Sequence, residues 1–418
     1  MKRRDFLSSA PLGWPLSFSF FSTAPCAAPE TGGDKPDLAN LHDTVQWIEG
    51  QNRPKLSFLD AGWKSVEEWK AAARPEFLRL LHYAPPPMPL SARSSGIEER
   101  SGFTIEKLSI AANEAYEIPA WLLLPARRQG KIPGIVAQHC HGGCYVWGHE
   151  KIVSHPGEPE HVTKYRQNAY GRPYAEELAR RGYAVLVIDA FYFGSRRLRV
   201  EDVAINHDNP FVTGGMRSLG RLTRGSNKWY DEINHACSGY ENLMAKSIFT
   251  AGSTWPGILN WDDRRALDYL CSRAEVDTSR IGAVGLSIGG LRTAYLIASD
   301  PRIKASCVVG WMTQFGSQIY DHLRYHTWMI YIPGLYRSLD LPDAAALTAP
   351  GTLMVQQCAQ DRLYPLEAMR GSVSKLERIF QKAGIPDRFQ GRFYDVPHSF
   401  TPAMQEDAFK WFDRWLKG

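Results

Sequence analysis

Net charge is scarce in this chain. Its 49 Lys and Arg stand against 44 Asp and Glu, a formal +5 over 418 residues. No basic run stands out, so the electrostatic footprint of a nucleic-acid binder is missing. Cysteine is sparse as well. Seven cysteines in a chain this long do not make a disulfide-dense scaffold. The six beyond residue 30 are an even number, which permits pairing in an oxidising compartment. Cys271 and Cys307 sit among apolar neighbours and read as buried thiols. Long hydrophobic runs are absent: the apolar stretch Pro11–Phe21 is too short to span a membrane as a permanent helix. No internal repeat and no low-complexity tract interrupts the sequence.

What is present is an ordinary globular composition, 44% hydrophobic and 22% charged, so a sizeable core is expected. The first residues, Met1-Lys2-Arg3-Arg4-Asp5-Phe6-Leu7, place paired arginines before the apolar stretch, and small residues follow from Ala24 to Ala28. This pattern resembles a twin-arginine export signal, and residues 1–30 are set aside from the fold as such. A periplasmic or secreted protein is expected.

Residues 31–100 read as a helical N-terminal extension. Ser65 and Glu68 stand in capping-box positions, and Pro85-Pro86-Pro87 with Pro89 mark a linker. Residues 101–418 alternate strand and helix patterns. Strands are expected at 103–110 and 118–124, a hairpin, and then at 132–138, 183–189, 276–285, 303–309, 352–357 and 389–396. Helices are expected at 174–181, 258–273, 291–298, 366–383 and 402–416. Buried strands alternating with helices argue for a mainly parallel, doubly wound α/β sheet. Two stretches lose the pattern, about 191–256 and 311–349, and are read as long excursions over the active-site edge.

The chemistry concentrates at Gly285-Leu286-Ser287-Ile288-Gly289-Gly290. An apolar strand ends there in Gly-x-Ser-x-Gly and a helix follows. Such a turn exposes the serine hydroxyl at its apex and aims free helix N–H groups at it. A serine hydroxyl is a weak nucleophile at neutral pH; it needs a general base, and the base needs an orienting acid. Asp361 lies just past strand 352–357, before a Pro-started helix. His398 follows the last strand and precedes the last helix. Each residue alone is more often structural. Taken in the order Ser, Asp, His, each at a strand's C-terminal end, the three read as catalytic. Asp395 is the alternative acid. An oxyanion hole requires two backbone N–H donors: one from Ile288, the other from the loop His139-Cys140-His141-Gly142-Gly143, with His141 favoured and Gly142 next.

On the His-x-His-Gly-Gly loop, Gly-Leu-Ser-Ile-Gly-Gly, the Asp361 segment and Asp395-Val396-Pro397-His398-Ser399-Phe400, the chain resembles the α/β hydrolases of the dienelactone hydrolase and acetylxylan-esterase-like group. The likeness runs from about Phe103 to the C-terminus. It departs from dienelactone hydrolases proper in carrying serine, not cysteine, as nucleophile. It departs from the cephalosporin-C deacetylase type at Ile288 and Ser399, where that type carries Gln and Glu. The resemblance implies a serine ester hydrolase. Ser287 attacks the carbonyl, His398 shuttles the proton, Asp361 holds the imidazole, and water releases the acid.

His139, Cys140, His141, Cys144 and His149 match no standard zinc spacing, so neither a metal nor a cofactor is expected. The partner is a small-molecule or carbohydrate ester, with no nucleic acid and no stable membrane span. Tyr145, Trp147, Trp255, Trp261, Trp311 and Trp328 are candidates for a sugar-stacking floor, though most such residues are core. Arg196, Arg197 and Arg199 are candidates for a carboxylate, against a solvated charge run. Two other functions are weighed: a serine peptidase of prolyl-oligopeptidase type, for which residues 30–100 are too few to form a propeller, and a non-catalytic hydrolase-fold binding protein.

Overall fold

Strands β4 (Ile132–Gln138), β5 (Ala184–Ile188), β7 (Ile303–Val309) and β8 (Thr352–Cys358) are buried along almost their whole length. That is the mark of strands covered on both faces. The computed structural model describes residues 36–203 and 219–418. The expected export segment, and residues 204–218 of the first excursion, lie outside the described residues. Residues Pro36–Gly418 fall in one compact unit.

The remaining strands are β1 (Arg93–Arg100), β2 (Phe103–Ala111), β3 (Glu117–Pro125), β6 (Val276–Leu286) and β9 (Phe389–Tyr394). All nine form one sheet in the order β1-β2-β3-β5-β4-β6-β7-β8-β9. The first four in that order pair antiparallel; from β5 onward every pair is parallel. The expected mainly parallel sheet is thus present. The chain leaves β4, goes outward to β5, and returns to β6 on the other side, which makes the end of β4 the topological switch point.

Alternation along the strands feeds two cores. Ala184, Leu186 and Ile188 of β5 face one apolar cluster, while Val185 and Val187 face the other. The first cluster packs under helices α2 (Val66–Leu80), α6 (Trp255–Ser272), α7 (Ile288–Ser299) and α8 (Leu366–Lys382). The second packs under α4 (Tyr174–Arg180) and α9 (Pro402–Phe412). Helices α1 (His42–Gly50), α3 (Glu160–Ala169) and α5 (Asn227–Thr250) complete the longer elements.

The N-terminal helical stretch is two helices, with residues 51–64 non-helical between them. Ser65 caps α2 by accepting the Glu68 N–H, and Glu68 takes the Lys64 N–H, one residue before the cap. Trp69 and Phe77 of α2 are buried, and Phe77 packs edge-on against Tyr295 of α7.

Three of the longer elements differ from the sequence reading: β1, α5, and α3, which falls between the expected strand at 132–138 and the expected helix at 174–181. Strand β1 has no counterpart there. It is an edge strand with mostly exposed residues, so it lacks the apolar alternation that marks a half-buried strand. Within the first excursion, α5 is a 24-residue helix capped by Ser226. Its buried stripe is narrow and includes polar residues, Asn234 and Glu241 among Ile233, Cys237, Ala245 and Ile248. A stripe that mixed gives a weak helical signal. The six described cysteines are all free thiols, and no described helix is long and apolar enough to cross a membrane.

Candidate active site

Strand register sets the site. Gln138 at the end of β4 stands level with Gly285 of β6, and Leu286 stands level with Val309 of β7. The loops after β4, β6, β7, β8 and β9 therefore open on one edge.

Ser287 follows Leu286 with φ 61° and ψ −122°. This is a left-handed position that a non-glycine residue occupies only under local strain. Its N–H is fixed by the Val309 carbonyl at 2.9 Å. The flanking glycines are steric necessities. A Cβ on Gly285 would lie 2.5 Å from the Gly289 carbonyl carbon, and one on Gly289 would collide with the Gln138 carbonyl. Helix α7 thereby presses its first turn against the end of β4.

Asp361 and His398 come from the loops after β8 and β9. The carboxylate Oδ2 lies 2.5 Å from His398 Nδ1, while Oδ1 accepts the Leu363 N–H at 2.9 Å. Asp361 has a fully buried side chain. Burial works against a charged imidazole at His398, but the adjacent Asp361 carboxylate outweighs it and raises the basicity above the ordinary value. Asp395, the alternative acid, is exposed and accepts from Gln360 Nε2 instead. The His398 ring rests on Gly310, where a Cβ would lie 3.3 Å from its Cε1. Gly310 directly follows Val309, the residue that anchors Ser287 N–H. The residue that anchors the Ser287 N–H and the residue that carries the imidazole are thus consecutive in the chain.

The start of the loop after β4 lies against the first turn of α7, where a Cβ on Gly289 would also meet the His139 carbonyl. The Cys140 N–H is taken by the Tyr170 hydroxyl and the Gly143 N–H by His141 Nδ1. The N–H groups of His141 and Gly142 have no acceptor among the described residues. Gly142 sits at φ 57°, and Tyr165 fills the space a side chain there would need. His141 Nε2 lies 2.9 Å from Glu241 Oε1, and the same carboxylate accepts from Tyr145 and Thr327 hydroxyls. Glu241 is drawn below the usual carboxylate range: burial pushes it upward, and the bonds from His141, Tyr145 and Thr327 more than offset that.

Behind this loop, Lys151 is fully buried. Its ammonium donates to Cys140 O at 2.8 Å and His141 O at 3.0 Å. Burial lowers its basicity, opposed by Cys140, Cys144, Glu150 and Asp189. Neither Glu241 nor Lys151 carries a sequence signal: the first lies in α5, whose mixed stripe hides its helical period, the second in a short turn without periodicity.

The other candidates resolve by their partners. Arg196 pairs with buried Asp262, Arg197 with Glu201, and Arg199 with Asp202. Tyr145, Trp255 and Trp311 are core residues, whereas Trp328 is 40% exposed. His149, Glu150 and Asp189 bring potential metal-ligating atoms within 4.8 Å of one another. Those atoms already serve the fold: Asp189 accepts from His149 N–H, His149 Nδ1 and the Ser195 N–H and hydroxyl, and Glu150 accepts the Gly148 N–H.

No protein-family model matches the chain. It is 26% identical over 354 residues to YtaP, a candidate hydrolase of Bacillus subtilis (strain 168), covering 83% of this chain and 100% of that one. Its structure is similar to a candidate acetyl xylan esterase from Bacteroides fragilis NCTC 9343, with a TM-score of 0.63 at 16% identity over 84% of this chain and 81% of that one. It is also similar to a glucuronoyl esterase from Solibacter usitatus, with a TM-score of 0.56 at 16% identity over 86% and 97%. The likeness establishes the fold, which is that of the α/β hydrolases, as the sequence resemblance implied.

Proposed function

We propose that this protein is a serine hydrolase of carboxylic esters, acting on carbohydrate esters, acetylated sugars foremost, through Ser287, His398 and Asp361. The observation that carries the reading is the 2.5 Å contact of Asp361 Oδ2 with His398 Nδ1, set beside a serine held on a strained strand-to-helix turn. With Nδ1–H donated to Asp361, the lone pair of the neutral imidazole is at Nε2, the atom free to act as base.

In this mechanism His398 Nε2 takes the Ser287 hydroxyl proton as Oγ bonds to the ester carbonyl carbon. The carbonyl oxygen becomes an anion bound by Ile288 N–H and by the N–H of His141 or Gly142. His398 then returns the proton to the alcohol as the C–O bond breaks, leaving an acyl-enzyme. Water, deprotonated by the same nitrogen, attacks the acyl carbon and frees the acid. Nothing in these steps calls for a metal or cofactor. The carbohydrate assignment draws on the acetyl xylan and glucuronoyl esterases that share the fold, and on exposed Trp328, which follows Thr327, a partner of the Glu241 that holds His141. Residues 101–418 are read as the catalytic domain, and Arg3-Arg4 with its apolar follow-on as an export signal.

The test is hydrolysis of 4-nitrophenyl acetate and butyrate by the mature protein beside Ser287→Ala, with a fluorophosphonate label on Ser287. Loss of a triad member lowers the rate by several orders of magnitude. Equal rates in both proteins would remove Ser287 from the mechanism. Activity confined to peptide substrates would favour the peptidase reading, although residues 36–100 hold two helices and one edge strand where such enzymes carry a propeller. A protein that neither hydrolyses nor labels would be a binding module.

A further inference from the structure

Lys151 occupies an unusual place. It projects from the short turn His149–Lys151, which is tied down by the His149 N–H on buried Asp189. Its ammonium is removed from solvent, and no carboxylate lies within ion-pair distance of it among the described residues. In place of water it has the Cys140 and His141 carbonyls and the rings of Phe193 and Tyr165, at 4.5 and 5.5 Å from their centroids. A buried cation with no carboxylate in direct contact, Glu150 and Asp189 acting only at longer range, is costly to keep, so a compensating role is expected.

The two carbonyls it grips are not arbitrary. Cys140 C=O and His141 N–H belong to one peptide unit, and His141 C=O and Gly142 N–H belong to the next. A trans peptide directs its N–H opposite to its C=O. With both carbonyls turned onto one ammonium, both N–H groups point away from it. These are the two N–H groups of the loop that have no acceptor. Gly142, at φ 57°, supplies the left-handed residue that anion-binding nests of successive N–H groups contain.

We propose that Lys151 is a positioning residue for the oxyanion hole, orienting and polarising the 140–141 and 141–142 peptides so that the N–H groups of His141 and Gly142 bind the developing oxyanion. The positive charge acts through the two peptide dipoles; it does not touch substrate. Hydrogen bonds in series strengthen one another in a low-dielectric site, and the charge is in place before reaction, so no reorganisation is needed as the anion forms. This inference rests on the reading of Ser287 as the nucleophile.

The experiment compares the mature protein with Lys151→Met, which keeps the stem without charge, and Lys151→Gln, which keeps a neutral donor. Read first in the wild type, 4-nitrophenyl acetate hydrolysis and fluorophosphonate labelling decide the esterase reading; their absence sinks that reading and not this one alone. Given an active wild type, Lys151→Met is expected to lower kcat by roughly 10- to 100-fold, below the loss of a whole oxyanion donor. KM should stay within about twofold, and the inhibition constant of a trifluoromethyl ketone, whose hemiketal mimics the tetrahedral anion, should weaken by the same factor. The acidic limb of the pH profile, set by His398, should not move. A merely structural residue would not split kcat from KM in this way. Unchanged kcat and inhibitor affinity in a folded variant overturn the proposal. If Lys151→Met does not fold, Lys151→Gln decides by the same measures. In the unaltered chain, forming the trifluoromethyl ketone adduct must also shift the Lys151 ammonium resonance in nitrogen-15 NMR, and an unmoved resonance overturns the proposal independently of any variant.

Discussion

Glu241 fixes the tautomer of His141. His141 Nδ1 accepts the Gly143 N–H at 3.0 Å, so the proton of the neutral ring is on Nε2, which lies 2.9 Å from Glu241 Oε1. A helix of the first excursion thus reaches across and locks the loop that starts against Gly289, two residues past Ser287.

Glu241→Ala should therefore release that loop. The expected outcome is a fall in kcat on 4-nitrophenyl acetate of roughly tenfold or more, in the range seen when catalytic hydrogen-bond donors are misplaced. Glu241→Gln, which retains an acceptor for the His141 N–H, should recover part of it. Equal rates for wild type and Glu241→Ala would disconnect the helix from the chemistry.

The second prediction concerns pH. Asp361 raises His398 above the ordinary imidazole value of about 6.5, and the base works only when neutral. Activity should rise with pH along a limb lying above that value. Stability runs the other way: a group whose folded basicity is raised contributes fully below its unfolded value, and the contribution is lost as pH rises through the folded one. Asp361→Asn should move the limb downward and cut kcat by about 10⁴-fold. A pH–rate profile of both proteins checks the direction; a limb that stays in place would separate Asp361 from His398.

A third prediction is about stability alone. Arg292 of α7 and Asp263 of α6 form a two-pronged pair at 2.6 and 3.0 Å, both side chains fully buried. Asp263→Ala would leave the guanidinium uncompensated and should cost about 3–5 kcal/mol. The double change Asp263→Leu with Arg292→Met should cost less than the single one, because no charge is stranded. Urea unfolding of the three proteins measures the difference.

Trp328 supplies the fourth. It is exposed and follows Thr327, whose hydroxyl bonds Glu241. Trp328→Ala should raise KM for acetylated oligosaccharides several-fold, since ring stacking contributes about 0.5–1.5 kcal/mol, and should leave 4-nitrophenyl acetate nearly unaffected. Equal KM shifts for both substrates would argue against a sugar-facing role.

The sequence by itself determined the doubly wound sheet, because strands covered on both faces are mainly apolar, as Ala184–Ile188 is throughout and Ile303–Val309 is apart from Lys304 and Ser306, and because such runs alternate with helical patterns of greater length. It also marked Ser287, Asp361 and His398 in order, since each belongs to a local pattern, a strand end followed by a turn. What stands beside each of them was decided by tertiary structure. Parallel register brings Leu286 beside Val309 and lets Gly310 carry the imidazole, and contacts between residues far apart in sequence leave no local trace. The same holds for Glu241, 100 residues from the histidine it orients, and for Lys151, whose neighbours along the chain do not disclose its burial. Edge strand β1 stayed hidden for the opposite reason: pairing on one side, with little to bury, asks almost nothing of its side chains.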